Sequence, residues 1–386
     1  MICPHCAASL TRRERTGNVC EHCRRRFALD PAVHGPGMTD VRVRAVVERA
    51  TDRGRLTVTL GQLWYLARTQ NHAWAGREAS GVPGWVRALV ALPVAGALFV
   101  CTAPADGPLA VAAAVAGCAV LVAAVALRHR PARPDVSRVV PSEDAFRALM
   151  KGAWTTTYGR LPKGVVDDAL PDRKRSRTGG TGSVPRAVIL CTDRVVARFL
   201  AVNRIPDRLN ALLVEPGGRT RRAASPFPES AGILLKDALD ALAPYSGGLP
   251  VVVLHDADPA GVLLAPMLRA AAPERVVVDA GLPVPDARTA PGAVRLFRRD
   301  DTVDPAVLSG LGGLAERDAA WLAEGFRSPV AAVPPRVLES VVTRAVEHAA
   351  TAAVPATGAG RENGFLSWPE GPSAVRTPGR KGADGA

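Results

Sequence analysis

The stretch Val251-Val-Val-Leu-His-Asp-Ala-Asp-Pro-Ala-Gly261 decides the fold class of the largest part of this 386-residue chain. Its first four residues are apolar, which indicates a strand that is buried on both faces. Asp256 and Asp258 follow directly, and Pro259 ends the strand where a helix can begin. A buried strand that leads into a helix is typical of a parallel sheet covered by helices.

Further strands and helices alternate around this stretch. The predicted strands are Ala187–Cys191, Asn210–Val214, Val251–Leu254 and Arg275–Asp279, and the predicted helices are Arg194–Asn203, Ser230–Leu242 and Val262–Ala271. This alternation indicates βαβ units and hence a parallel sheet with helices on both faces. Amphipathic helices over residues 313–350 are expected to pack against that sheet.

Two carboxylates stand at the end of the third predicted strand, which is where open α/β sheets bind ligands. Asp256 and Asp258 are two residues apart, so in an extended chain both side chains project to the same side. Two hard oxygen ligands suit a Mg²⁺ ion that keeps several waters, and the spacing therefore predicts a magnesium site. The alternative is that an aspartate before Pro259 caps the following helix.

The order of these elements and the motif Asp256-Ala-Asp-Pro-Ala-Gly261 resemble a Toprim domain, in the variant of the topoisomerase VI A subunit and related recombination and nuclease families. The stretch 279–286 is also similar to the turn found there, so the resemblance covers roughly residues 185–286. It implies that the two aspartates bind Mg²⁺ and that a glutamate ending the first strand assists phosphodiester chemistry. No glutamate stands at that place here, which leaves Asp193 and Glu215 as candidate catalytic residues.

Four cysteines form two CxxC pairs, Cys3-Pro-His-Cys6 and Cys20-Glu-His-Cys23. Short turns bring each pair of sulfurs to one side, so four thiolates can surround a Zn²⁺ ion. The residues between the pairs are too few for a hydrophobic core, and the metal would supply the folding energy. The alternative, a redox dithiol in the first pair, requires a preceding strand, for which residues 1–2 leave no room. We therefore expect a structural zinc ribbon over residues 1–27.

Two uncharged apolar runs, residues 88–105 and 107–127, predict a transmembrane hairpin over residues 86–128. Each approaches the ~20 residues that cross a bilayer core of about 30 Å. Arginines flank the pair of runs, whereas Asp106 is the charge between them, so both termini are expected in the cytoplasm. The predicted localisation is the cell membrane with two spans, and the lipid bilayer is the implied partner. The alternative is a buried helical hairpin of a soluble domain.

The chain is strongly basic, with 49 Lys+Arg against 36 Asp+Glu and a net charge of +13. Its arginine runs suit nucleic acid or anionic lipid, and solvated linkers are the alternative. Aromatic residues make up 4% of the chain, so no base-stacking platform is visible. Nucleic acid and a protein are the remaining candidate partners.

Together these predictions give a multi-domain fold with a small zinc ribbon, a two-helix transmembrane hairpin, and an α/β Toprim-like domain with a parallel sheet and C-terminal helices. The expected boundaries are 1–27 for the ribbon, 39–80 for a helical connector, 86–128 for the hairpin, 141–171 for a helical segment, 172–184 for a flexible basic linker, 185–350 for the α/β domain and 351–386 for a disordered tail. Helices are expected over Asp40–Ala50 and Thr59–Arg68 within the connector, and Ser142 is expected to cap a helix that runs to about Thr156.

The predicted function is that of a membrane-anchored, cytoplasm-facing protein that binds or processes nucleic acid or nucleotide phosphate with Mg²⁺. The alternative is a non-catalytic scaffold that recruits a partner through a degenerate Toprim-like fold, which the missing glutamate favours. Transport is disfavoured because neither apolar run contains an ionisable residue.

Overall fold

The computed structural model describes residues 1–35, 38–68, 84–100, 102, 107–126, 141–169, 184–217, 227–245, 247–298 and 303–352. The α-helices are α1 Pro31–His34, α2 Asp40–Ala50, α3 Leu60–Arg68, α4 Gly84–Val100, α5 Pro108–Ala126, α6 Glu143–Leu149, α7 Thr155–Tyr158, α8 Arg194–Val202, α9 Ile205–Arg208, α10 Glu229–Leu242, α11 Pro259–Ala271, α12 Val284–Thr289, α13 Pro305–Gly310, α14 Glu316–Ala323 and α15 Pro335–Ala352. The strands are β1 Val58–Thr59, β2 Val165–Val166, β3 Ala187–Cys191, β4 Ala211–Val214, β5 Val251–Leu254, β6 Val277–Asp279, β7 Leu296–Phe297 and β8 Phe326–Arg327.

The main sheet has the strand order β4-β3-β5-β6, and all neighbours are parallel. Every residue of β3 and β5 is buried, which explains why both read as continuous apolar runs. The predicted parallel sheet is therefore confirmed, and its strands begin and end within two residues of the predicted bounds.

Alternate residues of the central strands feed two hydrophobic cores, one on each face of the sheet. Ile189 and Val252 belong to the larger core, which contains α8 and the C-terminal helix α15. Val188 and Val253 belong to the second core, which contains α10 and α11. The sheet thus separates two layers of helices, as an α/β architecture requires.

Residues near the N-terminus share the larger core rather than standing apart from the sheet. The Asn203 side chain accepts a hydrogen bond from the Thr57 N–H at 2.8 Å and donates one to its carbonyl at 2.7 Å. The Glu339 carboxylate pairs with Arg55 and Arg208, each at 2.7 Å. Residues 1–74 and 136–386 accordingly form one compact unit.

Local signals in this unit agree with the structure. The predicted connector helices coincide with α2 and α3 to within one residue. Ser142 accepts a hydrogen bond from the Ala145 N–H and caps α6, as the sequence predicts. The helix then continues through a π-helical turn, Met150–Trp154, into α7.

Residues 75–135 form the second compact unit, a hairpin of α4 and α5. The Phe99 ring lies 3.0 Å from the position that a Cβ on Gly117 would occupy, so the glycine permits close packing of the two helices. The Arg87 guanidinium donates a hydrogen bond to the Ala124 carbonyl at 2.5 Å.

The transmembrane prediction is wrong, because no helix among the described residues is long and apolar enough to cross a membrane. Helix α4 has 17 residues and contains Pro93, and α5 has 19 residues. At about 1.5 Å per residue these helices measure about 26 and 28 Å, short of a bilayer core of about 30 Å. Of the uncharged run 88–105, residues 101 and 103–105 lie outside the described ranges, and the described helix α4 ends at Val100. The two-span hairpin, the cell-membrane localisation with cytoplasmic termini and the bilayer partner are not carried further.

Two predicted segments fall mainly on residues that the structure does not describe. They are the flexible linker 172–184 and the tail 351–386, of which residues 172–183 and 353–386 lie outside the described ranges.

Candidate metal centre

Both CxxC pairs form the same tight turn. In the first, the Cys3 N–H donates to the Ala8 carbonyl at 2.9 Å, and Ala7 takes a positive φ of 61°. In the second, the Cys20 N–H donates to the Arg25 carbonyl at 3.0 Å, and Arg24 takes a positive φ of 57°. Each turn points its two thiols inward, so the local backbone explains how the sequence brings four sulfurs together.

The four sulfurs of Cys3, Cys6, Cys20 and Cys23 lie within 4.8 Å of one another. The Sγ atoms of Cys3 and Cys23 are 3.7 Å apart, and those of Cys6 and Cys20 are 3.9 Å apart. Sulfurs about 2.3 Å from a tetrahedral Zn²⁺ stand about 3.8 Å from each other. The cluster can therefore hold a metal ion such as zinc.

The thiols of Cys3 and Cys6 have pKa values that are shifted in opposite directions. Burial raises the pKa of the Cys3 thiol, but hydrogen bonds from the backbone N–H groups of Cys6 and His5 and from neighbouring thiols lower it to about 7. For Cys6 the Ala8 N–H lowers the pKa, yet burial and the three other cysteines raise it to about 11. A divalent cation that displaced these protons would relieve the repulsion between neighbouring thiolates.

The hydrophobic core beneath the cluster is small. It consists of Leu10, Phe27 and the buried thiols of Cys3 and Cys20, with a few partly buried neighbours. So few apolar side chains cannot offset the conformational entropy of some 27 ordered residues at about 1–2 kcal/mol each. A metal ion bound by the four cysteines would add to the stability of this small core.

The strand-end aspartates bind backbone N–H groups. Asp256 accepts a hydrogen bond from the Val330 N–H at 2.8 Å, and Asp258 accepts one from the Gly261 N–H at 2.6 Å. Asp258 is the N-cap of α11, which confirms the alternative that the sequence left open. Asp193 is likewise the N-cap of α8.

The structure does not gather these carboxylates into a metal site. Across the described ranges, the four cysteines are the only group of three or more His, Cys, Asp or Glu side chains close enough to hold an ion. Glu215 is exposed beyond the end of β4. Magnesium at Asp256 and Asp258 therefore has no support from the structure, and catalysis by Asp193 or Glu215 stays an untested prediction.

The sequence did not reveal a contact between the buried His255 and the partly exposed Asp279, which lie at the carboxyl ends of β5 and β6. His255 is 3% exposed, and its Nε2 lies 3.0 Å from Asp279 Oδ1 while its Nδ1 lies 2.7 Å from the Asp256 carbonyl oxygen. Burial lowers the pKa of His255, but the Asp279 carboxylate outweighs this and raises it to about 9. A Cβ on Gly281 would stand 2.1 Å from His255 Nε2, so only glycine fits there. The pairing could be inferred only once β6 was known to lie beside β5.

No family model, no curated protein and no solved structure matches this chain. The Toprim resemblance accordingly gains no support from the comparisons.

Proposed function

We propose that this protein binds nucleic acid and that its N-terminal residues, folded as a zinc ribbon, supply part of the binding surface. Five arginines carry the proposal. Arg12, Arg13, Arg24, Arg25 and Arg26 are all exposed. Within the described part of the chain, none of them pairs with a carboxylate.

The ribbon is positively charged as a unit. Residues 1–27 contain six arginines and two glutamates. The sixth arginine, Arg15, is used internally, because it pairs with Asp30 at 2.7 Å. The other five are exposed and remain available to a ligand.

Exposed guanidinium groups suit the phosphate backbone, since their planar donors match phosphate oxygens in a bidentate geometry. Such contacts position a protein on nucleic acid without reading its sequence. Zinc would hold the turns and therefore the spacing of the arginines, which is a structural contribution.

The strand-end carboxylates favour binding over catalysis as the role of the chain. Asp193 and Asp258 cap helices, and Asp256 holds the Val330 N–H. These contacts give each aspartate a structural reason to be present. We therefore propose a binding role rather than a catalytic one, with nucleic acid as the partner.

The test is fluorescence anisotropy with the zinc-loaded full chain and labelled single-stranded DNA, duplex DNA and RNA. We expect affinity to fall steeply between about 50 and 200 mM salt, because each arginine–phosphate pair releases counterions. The triple variant Arg12→Gln, Arg25→Gln, Arg26→Gln should weaken binding to every sequence. It should also reduce the salt slope by about 1 for each phosphate that is no longer neutralised.

The matched control is Arg194→Gln, Arg317→Gln, Arg336→Gln, which removes the same charge from exposed arginines outside the ribbon. An equal loss of affinity in this control would mean that net charge alone drives binding. Binding to anionic vesicles without binding to any oligonucleotide would assign the arginines to lipid and overturn the proposal.

A further inference from the structure

A cleft of about 450 Å³ lies between α2 and residues 154–163. We call it the basic cleft, because four of its lining residues are Arg44, Arg53, Arg160 and Lys163, against Glu48 as its one carboxylate. All four cationic residues are exposed. Among the described residues, none of their side chains is paired with a carboxylate.

In one wall of the basic cleft, the rings of Trp154 and Tyr158 contact the Arg44 guanidinium. The Arg44 guanidinium carbon lies 4.5 Å from the centroid of the Tyr158 ring and 5.9 Å from that of Trp154. The two rings pack against each other with centroids 4.8 Å apart. Cation–π contact on two packed rings restricts Arg44 before any ligand arrives, which lowers the entropy cost of binding.

Asp40 connects Tyr158 in this wall to the residues that directly follow the ribbon. The Tyr158 hydroxyl donates a hydrogen bond to the fully buried Asp40 carboxylate. That carboxylate also accepts hydrogen bonds from the Ala28 and Leu29 N–H groups, each at 2.8 Å. Asp40 at the start of α2 thus links Tyr158 of α7 to the backbone of residues 28–29, and this contact fixes the position of the Tyr158 ring.

The basic cleft is also lined by a turn with an uncommon backbone. Asp52, Arg53 and Gly54 have consecutive positive φ values of 49°, 57° and 92°. The left-handed region is costly for residues with a Cβ, and such strain concentrates at ligand sites. Here it places the Arg53 side chain on the cleft.

We infer that the basic cleft binds a small ligand bearing two or more linked phosphate groups. Its volume lies within the usual range of small-molecule sites, about 300–1,000 Å³. Four cations outnumber the single carboxylate, so a multiply charged anion is favoured over a neutral ligand. Val47, Leu161 and Pro162 provide apolar surface for the part of the ligand that carries no charge. This site goes beyond the proposed function and does not depend on it.

The test is isothermal titration calorimetry of the zinc-loaded full chain with tripolyphosphate and, separately, with ATP. We expect both to bind. The variant Arg53→Asn, Arg160→Gln, Lys163→Gln should weaken both by at least about tenfold, because charge-assisted hydrogen bonds to phosphate are removed. Asparagine is chosen at position 53 because it tolerates a positive φ. The control Arg49→Gln, Arg194→Gln, Arg317→Gln, at exposed positions outside the cleft, should leave the affinity unchanged.

Three outcomes would overturn the assignment: no binding of either probe, an equal loss of affinity in the control, or an equal loss of affinity in the ribbon variant Arg12→Gln, Arg25→Gln, Arg26→Gln. Nucleic-acid binding is measured on the same variants. If the cleft variant loses oligonucleotide affinity as strongly as the ribbon variant, the cleft belongs to the nucleic-acid surface and the small-ligand assignment is wrong. If oligonucleotide binding fails while tripolyphosphate binding follows the cleft, the proposed function falls and this inference stands.

Discussion

The cysteine cluster and the strand-end aspartates both looked like metal sites in the sequence, and the structure separates them. In the cluster, four sulfurs converge with the spacing of a tetrahedral site. At the sheet edge, Asp256 and Asp258 each accept a hydrogen bond from a backbone N–H. What differs is where the ligand atoms find their partners, and the residue types alone do not reveal it.

The contrast has a physical origin. A thiol is a weak hydrogen-bond acceptor, so four inward-facing cysteines gain little from their neighbours until a metal binds. A carboxylate beside a helix start gains a charge-assisted hydrogen bond at once. A DxD motif that precedes a helix therefore has a competing use that a pair of CxxC motifs lacks.

The largest expected effect comes from Cys20→Ser, because Cys20 is fully buried in the cluster. Structural zinc contributes about 10–16 kcal/mol of apparent binding free energy in small zinc-dependent folds. We expect the variant to lose its zinc and residues 1–27 to lose protection from hydrogen exchange. Cys118→Ser, at an exposed cysteine of the hairpin, is the matched control and should keep both. Full zinc content in Cys20→Ser would break the comparison.

The next effect is a pH dependence of the free energy of unfolding, caused by His255 and Asp279 at the carboxyl ends of β5 and β6. The raised pKa of His255, about 9, implies stability that is fully present below the ordinary value of about 6.5 and lost as pH rises through about 9. The loss should amount to at most about 3 kcal/mol. Urea unfolding of the zinc-loaded protein from pH 6 to 10 measures it. Asp279→Asn should flatten the profile over this interval; an unchanged profile would show that the pair does not titrate in this way.

A smaller effect is expected from the helix caps. Asp193→Ala and Asp258→Ala should each lower the free energy of unfolding by about 1–2 kcal/mol, whereas Asn at either position should retain most of the stability. Millimolar Mg²⁺ should leave the Tm of the wild type unchanged. A rise in Tm with Mg²⁺ that disappears in Asp258→Asn would restore the aspartates as a metal site and remove the contrast with the cysteines.

The smallest effect concerns the turn of the basic cleft. Arg53→Gly should stabilise the fold by no more than about 1 kcal/mol, since relief of a left-handed residue, about 1–2 kcal/mol, is partly offset by the flexibility of glycine. The same variant should bind tripolyphosphate more weakly than the wild type. Thermal unfolding and calorimetry check the two halves. Weaker binding without any gain in stability would mean that the positive φ at Arg53 carries no strain.

Short-range patterns explain most of what the sequence predicted correctly. Each cysteine turn closes within six residues, from Cys3 to Ala8 and from Cys20 to Arg25. The strands β3 and β5 are apolar throughout because both faces are buried, and Ser142 caps its helix within three residues. Each of these features is decided by neighbouring residues, so a single sequence is enough.

The sequence misled or gave no signal in two cases. One is the length of an apolar helix, which was judged from uncharged residues alone, and the other is any contact between residues far apart in the chain. The run 88–105 was judged by its lack of charge, whereas the described helix α4 has 17 residues and contains Pro93. The basic cleft joins α2 to residues 154–163, which lie more than a hundred residues away in the chain. His255 meets Asp279 only because β5 and β6 are neighbours in the sheet. Patterns among neighbouring residues in the sequence do not predict such long-range contacts.

X-ray absorption at the zinc K edge of the purified full chain tests the central claim most directly. We expect one zinc per chain with four sulfur neighbours at about 2.3 Å. Zinc coordinated mainly by nitrogen or oxygen, or a spectrum unchanged in Cys20→Ser, would contradict it.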